Sequence, residues 1–120
     1  MNPNELGLVS IIVASYNHAE YLIKRMDSLV NQTYKNIEIL VIDDCSTDNS
    51  FVGISDFIRQ IPDFRIVIFG LSSNQGPAFA RNVGILKSRG AFVAFTDDDC
   101  IVPENWLENF YICLENNPQV

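Results

Sequence analysis

Short apolar runs alternate with amphipathic segments along this chain, and this alternation limits the possible folds more than any other feature. Each run is rich in β-branched or aromatic residues and is bounded by polar residues, as expected for strands buried on both faces of a parallel sheet. The predicted strands are Val9–Ala14, Ile37–Ile42, Arg65–Phe69 and Ala91–Phe95.

Between and after the strands, apolar residues recur at spacings of three and four, which predicts helices with one buried stripe. The first helix starts at Ala19, and the last one follows Pro103. The stripes consist of Leu22, Ile23, Met26, Leu29 and Val30 in the first helix, Ile54, Phe57, Ile58 and Ile61 in the second, and Trp106, Leu107, Phe110, Tyr111 and Leu114 in the last.

Two of the helices carry recognisable end signals. Thr47 or Asp48 is predicted to cap the second helix, because a short oxygen-bearing side chain can accept a hydrogen bond from the first turn. Gly76-Pro77 is predicted to open the third helix, and Gly90 lies past its end, where a glycine commonly terminates a helix.

Strands that alternate with helices favour right-handed crossovers and a mostly parallel sheet, the α/β class. We therefore predict a Rossmann-like sheet flanked by helices and a single domain over residues 1–120. In open sheets of this kind, ligands bind outside the carboxyl ends of the strands. Three polar sequences fall there, Ser15-Tyr16-Asn17, Asp43-Asp44 and Asp97-Asp98-Asp99.

The charge and composition exclude several classes of partner. A formal net charge of −7 and a pI near 4.4 argue against nucleic acid, which requires a basic surface. The apolar run Ile11–Ala14 is far too short for a membrane span. The three cysteines lack Cys-x-x-Cys spacing, which favours reduced thiols and a cytoplasmic location, with any membrane association arising from regions outside this chain.

Three consecutive carboxylates, Asp97, Asp98 and Asp99, follow the fourth strand. Like charges about 4 Å apart repel by roughly 4 kcal/mol at an effective dielectric of 20, so a compensating charge is expected. A hard divalent cation such as Mg²⁺ or Mn²⁺ prefers oxygen ligands and can bind phosphate oxygens at the same time. The run therefore predicts a metal site for a diphosphate-linked substrate, with a solvated acidic turn as the alternative.

Other strand-end and helix residues are candidates for ligand contacts. A carboxylate of Asp43 or Asp44 could accept hydrogen bonds from a base or a ribose, and turn or cap chemistry within the loop is the alternative. Arg81 is a candidate for a base or phosphate contact, and a salt bridge to an aspartate is its alternative. His18 is assigned a surface or capping role, because no catalytic partner accompanies it in the sequence.

Five motifs, in order along almost the whole chain, resemble those of the family 2 inverting glycosyltransferases, which have the GT-A fold. The motifs are Val9–Asn17 for the opening strand and turn, Asn31–Tyr34 for the end of the first helix, Val41–Asp48 for the base-binding loop, Gly76–Asn82, and Phe95–Asp99. One departure is Cys45, where many relatives have glycine or asparagine.

The resemblance implies a nucleotide-sugar donor, with UDP-sugars as the expected class. The residues that it implies for nucleotide binding are Ala14, Ser15, Tyr16, Asn17, Asp44, Arg81, Asp97 and Asp98. It also implies that Asp99 binds Mg²⁺ or Mn²⁺ together with Asp97, the first position of the Asp-x-Asp motif.

The implied reaction transfers a sugar with inversion to a hydroxyl of a glycan, lipid-linked or other acceptor, as in the biosynthesis of cell envelope polysaccharides. The family's general base lies in an acceptor-binding half that would follow Val120. The resemblance therefore implies that residues 1–120 form the nucleotide-sugar-binding portion and lack the catalytic base.

Two other classes remain open from the residues alone. A sugar-nucleotide nucleotidyltransferase also uses strand-end aspartates and metal, but it has a basic, glycine-rich loop where this chain has Ser15–His18. A receiver-like signalling module, which is not an enzyme, also gathers aspartates at strand ends, although its late-strand lysine has no counterpart here. The released product, nucleotide diphosphate, pyrophosphate or neither, distinguishes these three functions.

Overall fold

Four parallel strands form one sheet in the order β3-β2-β1-β4 in the computed structural model, which describes residues 7–97, with Asp97 by its backbone, and residues 101–110. All four predicted strands are confirmed, and the predicted fold class with them. The strands are β1 Val9–Ser15, β2 Ile37–Asp43, β3 Ile66–Gly70 and β4 Phe92–Asp97.

Three helices join successive strands, α1 Ala19–Val30, α2 Ser50–Gln60 and α3 Pro77–Lys87. Residues 106–110 are also helical, in agreement with the predicted helix after Pro103. Within it Leu107 is buried, and Trp106 packs against the core from a partly buried position. Tyr111 and Leu114 of the predicted stripe lie outside the described residues.

The alternation of side chains along β1 divides the core between the two faces of the sheet. Ile11 and Val13 belong to one buried cluster, which also holds Met26 of α1 and Ile54 of α2. Ile12 belongs to a second cluster on the opposite face, with Ala80 and Val83 of α3. Helices α1 and α2 therefore cover one face of the sheet, and α3 covers the other.

Small residues let α3 lie close to the sheet. Ala80 and Gly84, one helical turn apart, are the buried residues of this helix. A Cβ added at Gly84 would lie only 2.5 Å from Cγ2 of Ile12, so no larger residue fits unless the helix or the Ile12 side chain shifts. This close approach fixes where the first turn of α3 stands relative to the carboxyl ends of β1 and β2.

Gly90 does not end α3 as predicted. The helix ends at Lys87, and its C-cap Ser88 is extended with φ −72° and ψ 146°. Gly90 instead lies against β1, where an added Cβ would come within 2.6 Å of Ser10 Oγ. The glycine is required by this contact with a strand, which a helix-end pattern in the sequence does not reveal.

The predicted cap of α2 is displaced by one residue. Asn49 occupies the N-cap position, and its side chain makes no cap hydrogen bond. Asp48 still performs the predicted chemistry from the position before, because its Oδ1 accepts the N–H of Ser50 at 2.9 Å.

A buried glutamate joins three elements at the amino end of the sheet. Glu38 of β2 accepts hydrogen bonds from Ser10 Oγ at 2.6 Å and from the Arg89 N–H at 2.8 Å. Arg89 Nε lies 3.2 Å from the same carboxylate, although 70% of that side chain is exposed. Burial alone would raise the pKa of Glu38, but these hydrogen bonds and the arginine charge hold it below its ordinary value.

None of the helices in the described ranges has the length and apolar character that a membrane crossing requires. Cys45 is a free thiol, half-buried after β2. The other two cysteines, Cys100 and Cys113, lie outside the described residues.

Candidate functional site

The polar sequences that follow the strands meet at one edge of the sheet, as the sequence predicted. In the parallel register Ser15 pairs with Asp43, and Ala14 pairs with both Ile42 and Asp97. The Asp44 N–H continues this pairing by donating to the Ser15 carbonyl at 2.9 Å. The ends of β1, β2 and β4 are therefore neighbours.

A pocket of about 410 Å³, the strand-end pocket, opens at this edge. Its wall combines the end of β1, the residue after β2, the loop before α3 and the first turns of α3. The lining residues are Ala14, Ser15, Tyr16, His18, Asp44, Asn74, Gly76, Pro77, Ala80 and Arg81.

Asp44 binds the loop that leads into α3. Its Oδ1 accepts the N–H of Gln75 at 2.7 Å, and its Oδ2 accepts the N–H of Gly76 at 2.9 Å. The Asp44 carbonyl also accepts Asn74 Nδ2 at 3.2 Å. These bonds reach a loop about 30 residues away and differ from the turn or cap chemistry predicted within the loop after β2. Because two carboxylate oxygens offer about four acceptor positions, Asp44 can still accept a hydrogen bond from a ligand.

Asp43 is not among the described residues that line the strand-end pocket. Its Oδ2 accepts the N–H of Ser46 at 3.1 Å and its Oδ1 accepts the Ser46 hydroxyl at 2.6 Å. This carboxylate, only 4% exposed, therefore closes the turn after β2. The alternative of turn chemistry within the loop therefore holds for Asp43, whereas the side chain of Asp44 bonds to the loop before α3.

The β1 end contributes one exposed and one buried polar side chain. Tyr16 is 43% exposed and stands in the pocket wall. Ser15 is 2% exposed, and its Oγ has no hydrogen-bond partner among the described residues. A buried hydroxyl without a partner is costly, and a polar ligand in the pocket would offset that cost.

Arg81 lies in the wall of the pocket one turn into α3, so the structure places it where a ligand contact is possible. Asn17 differs, because it is absent from the lining in the described part of the chain. Its Oδ1 instead accepts the N–H of Thr47 at 2.8 Å, across to the loop after β2.

Sequence reasoning missed two side chains of the pocket. His18, assigned to the surface or to a cap, is the N-cap residue of α1, makes no side-chain cap bond and lines the pocket. Asn74 lies in the polar stretch after β3, and the position of this stretch at a strand end was a signal for a ligand site.

The acidic run begins beside this pocket. The backbone of Asp97 is the last residue of β4 and pairs with Ala14, which lines the pocket. Asp98 and Asp99, together with the side chain of Asp97, lie outside what the structure describes. A run of carboxylates that starts at this position has the hard oxygen donors that Mg²⁺ or Mn²⁺ prefers, so the donor chemistry fits the predicted metal.

The arrangement is suited to binding, since it offers an aromatic wall, a carboxylate and a cation around one open space. An aromatic ring such as that of Tyr16 provides a flat apolar surface for a base. Asp44 is an acceptor for base or sugar donors, and Arg81 is a donor for carbonyl or phosphate oxygens.

Several known proteins are similar to this chain in sequence. The family described as "Glycosyl transferase family 2" matches residues 10–120. An uncharacterized glycosyltransferase of Haemophilus influenzae is 43% identical over 103 residues, which are 86% of this chain and 40% of that protein. An Escherichia coli protein, the UDP-Glc:alpha-D-GlcNAc-diphosphoundecaprenol beta-1,3-glucosyltransferase WfaP, is 41% identical over 94 residues, 78% of this chain and 36% of its own length.

Among solved structures, the mannosyltransferase PcManGT from Pyrobaculum calidifontis, in complex with GDP-Man and Mn²⁺, superposes with a TM-score of 0.88. It is 27% identical to this chain, and the match covers 93% of this chain and 33% of the mannosyltransferase. The chain thus spans well under half the length of each of these three proteins.

Proposed function

Because the chain belongs to glycosyl transferase family 2, we propose that it forms the donor-binding part of an inverting glycosyltransferase that uses a UDP-sugar. The observation that carries this proposal is the strand-end pocket, because Tyr16, Asp44 and Arg81 all line it. The buried Ser15 hydroxyl adds a polar group that needs a partner. UDP is favoured over other nucleotides because the E. coli relative, named for UDP-Glc, is 41% identical.

In the proposed complex, the base occupies the pocket between Tyr16 and the start of α3. Asp44 accepts a hydrogen bond from the base or ribose, and Arg81 donates to a base carbonyl or a phosphate oxygen. Ala14 also lines the pocket and packs against the cluster that holds Ala80 of α3. From there the diphosphate extends towards β4, because Asp97 pairs with Ala14.

We propose that Asp97 and Asp99 hold Mg²⁺ or Mn²⁺ at this end of the sheet and that Asp98 faces away. In an extended segment, alternate side chains share a face, so Asp97 and Asp99 can converge on one ion. When bound, such a cation neutralises the negative charge that a leaving diphosphate carries. The Mn²⁺ in the mannosyltransferase complex supports a divalent cation for this family.

The acceptor is proposed to be a hydroxyl on a glycan or a lipid-linked sugar, in line with the diphosphoundecaprenol acceptor named for the E. coli relative. Direct attack of that hydroxyl on the anomeric carbon gives inversion and requires a general base. We propose that the base belongs to the larger part of such enzymes that residues 1–120 do not match. Neither the nucleotidyltransferase nor the receiver-like module is favoured by the relatives.

Calorimetry and thermal unfolding test the proposed donor. UDP with Mn²⁺ should raise the melting temperature, because a ligand that binds only the folded state stabilises it. UDP in EDTA should raise it much less, and ADP with Mn²⁺ serves as the control for the base. Equal shifts with UDP and ADP would refute a uracil-specific pocket, and equal shifts with and without metal would refute the role of the cation.

A pair of adjacent variants tests the register of the metal site. Asp99→Asn should weaken Mn²⁺-dependent UDP binding more than Asp98→Asn does, although each change removes one charge. A solvated acidic turn would give equal effects, and a larger effect at Asp98 would require a different register.

A further inference from the structure

Two loops beside the strand-end pocket are joined by side-chain hydrogen bonds. Asn17, in the loop after β1, accepts the N–H of Thr47 at 2.8 Å through its Oδ1, and its own N–H donates to Ser46 Oγ at 3.0 Å. Ser46 in turn donates to Asp43 Oδ1 at 2.6 Å. We name these three linked residues, Asn17, Ser46 and Asp43, the strand-end clasp; Asn17 joins Ser46 through its backbone N–H and joins Thr47 through its side chain.

A second link runs from the same loop to the start of α1. Asp48 Oδ2 accepts the N–H of Ala19 at 3.2 Å, and Oδ1 accepts the N–H and the hydroxyl of Ser50 at the start of α2. Burial alone would raise the pKa of Asp48, but these bonds outweigh it and hold the pKa below its ordinary value. One carboxylate thus ties the first turns of two helices together beside the clasp.

Clasp residues are next to pocket residues in both segments of the chain. Tyr16 and His18 line the pocket on either side of Asn17, and Asp44 lines it directly after Asp43. The backbone takes left-handed conformations at Asn17, with φ 53°, and at Cys45, with φ 59°. Asparagine tolerates this region better than most residues, while a cysteine there requires support from its surroundings.

We propose that Asn17 and Ser46 are positioning residues that act on the nucleotide through Tyr16, His18 and Asp44, without contacting the ligand. This inference rests on the proposed function for its readout and revises the direct nucleotide contact predicted for Asn17. The clasp fixes the two loops before a ligand arrives, so that less ordering is required on binding. Losing it lowers nucleotide affinity although neither side chain lines the pocket.

The test compares serine variants for UDP affinity and for amide exchange. Ser46→Ala removes both the acceptor for the Asn17 N–H and the donor to Asp43, so UDP should bind about three- to tenfold more weakly. Ser46→Thr keeps the hydroxyl and should restore affinity. Ser55→Ala is the matched control, because Ser55 lies on α2 with its hydroxyl donating to the Phe51 carbonyl, and it should bind UDP as the wild type does.

Variants of Asn17 form the second part of the test, in which hydrogen exchange of the Thr47 amide is measured. Asn17→Gly permits the left-handed backbone but removes the oxygen that accepts the Thr47 N–H, so that amide should exchange faster while β2 amides remain protected. Asn17→Asp keeps an acceptor oxygen and should restore protection. In the double variant Asn17→Gly/Ser46→Ala, the loss of affinity should be smaller than the product of the single losses, because both changes release the same loops.

The proposal is overturned if Ser46→Ala folds and binds UDP as tightly as Ser55→Ala does. It is also overturned if the losses of UDP affinity in Asn17→Gly and Ser46→Ala multiply fully in the double variant, because that is the result expected for two independent ligand contacts. If Ser46→Ala does not fold, Asn17→Gly and Asn17→Asp make the same comparison alone. Failure of the wild type to bind UDP would instead refute the proposed function. In that case the Thr47 amide of Asn17→Gly still tests the clasp. Unchanged hydrogen exchange at this amide would overturn the clasp, and faster exchange would show that the clasp orders the two loops.

Discussion

Strand β2 carries an important carboxylate at each of its ends, and the two have different partners. Glu38 at the amino end accepts hydrogen bonds from a hydroxyl and a backbone N–H and forms a salt bridge with the guanidinium of Arg89. Asp44, just past the carboxyl end, accepts hydrogen bonds from two backbone N–H groups and lines a pocket. Both residues are buried, with 2% and 4% of their surface exposed.

The difference shows how burial of a carboxylate can serve either the fold or a ligand. Glu38 is enclosed by groups from β1, β2 and the connection after α3, so its bonds hold the sheet together. Asp44 orients a loop and also lines a pocket that a ligand can fill. We therefore expect changes at Glu38 to reduce stability and changes at Asp44 to reduce nucleotide affinity.

The largest effect is expected at Glu38. Glu38→Ala leaves the buried Ser10 hydroxyl and the Arg89 N–H without their acceptor, which should lower the free energy of unfolding by about 3 kcal/mol. Urea denaturation measures this loss. UDP affinity of the folded variant should stay within about twofold of the wild type, and a tenfold loss would show that the two ends of β2 are coupled.

The next effect is expected at Asp44. Asp44→Ala removes the acceptor for Gln75 and Gly76, which should cost about 1 kcal/mol of stability, as the loss of a helix cap does. UDP should bind about tenfold more weakly or worse, since the loop before α3 and a ligand acceptor are lost together. Calorimetry on the folded variant measures the affinity, and unchanged binding would remove Asp44 from the site.

The pH dependence of stability should distinguish the two ends further. Because the folded-state pKa of Glu38 lies below its ordinary value of 4.5, its contribution is present above that value and is lost as the pH falls through the folded pKa. Wild-type stability should therefore fall more steeply below pH 4.5 than that of Glu38→Gln. Parallel curves from urea titrations at pH 3 to 6 would contradict this.

The smallest effect is expected at Arg89, because its side chain is 70% exposed. Arg89→Ala keeps the backbone N–H that binds Glu38 and removes only a solvent-screened charge. The free energy of unfolding should therefore fall by less than about 1 kcal/mol. This loss should shrink further at high salt. A loss as large as that of Glu38→Ala would mean that the ion pair, and not the hydrogen bonds, stabilises this end of the sheet.

Much of the fold could be predicted from local patterns. The apolar runs predicted all four strands, and the spacing of three and four predicted the first, second and last helices, because both patterns reflect which side of an element is buried. The third helix was predicted from Gly76-Pro77 at its start. The end signals were less informative. Thr47 or Asp48 was predicted to be the N-cap of α2, but Asn49 holds that position, and Asp48 accepts the Ser50 N–H from the residue before it. Gly90 is required by a contact with β1 that no neighbouring residue reveals.

The candidate site divides in the same way. Ala14, Ser15, Tyr16, Asp44 and Arg81 were predicted and line one pocket, since residues at strand ends must meet at one edge of a parallel sheet. Their contact with a nucleotide stays a prediction, as does the role of Asp97, Asp98 and Asp99. His18 was missed, because an isolated histidine carries no pattern until the turn that presents it is known.

The sequence by itself determined the order of strands and helices, the location of the polar loops at the strand ends and the family. These follow from periodicity and from motifs within a few residues of one another. Only the tertiary structure decided what each polar side chain does. Glu38 meets Arg89 across 51 residues, Asp44 meets Gly76 across 32, and Asn17 meets Thr47 across 30. Hydrogen-bond partners so far apart come together only through the packing of the sheet and its helices, and those partners decide whether a buried carboxylate or amide supports the fold or is available to a ligand.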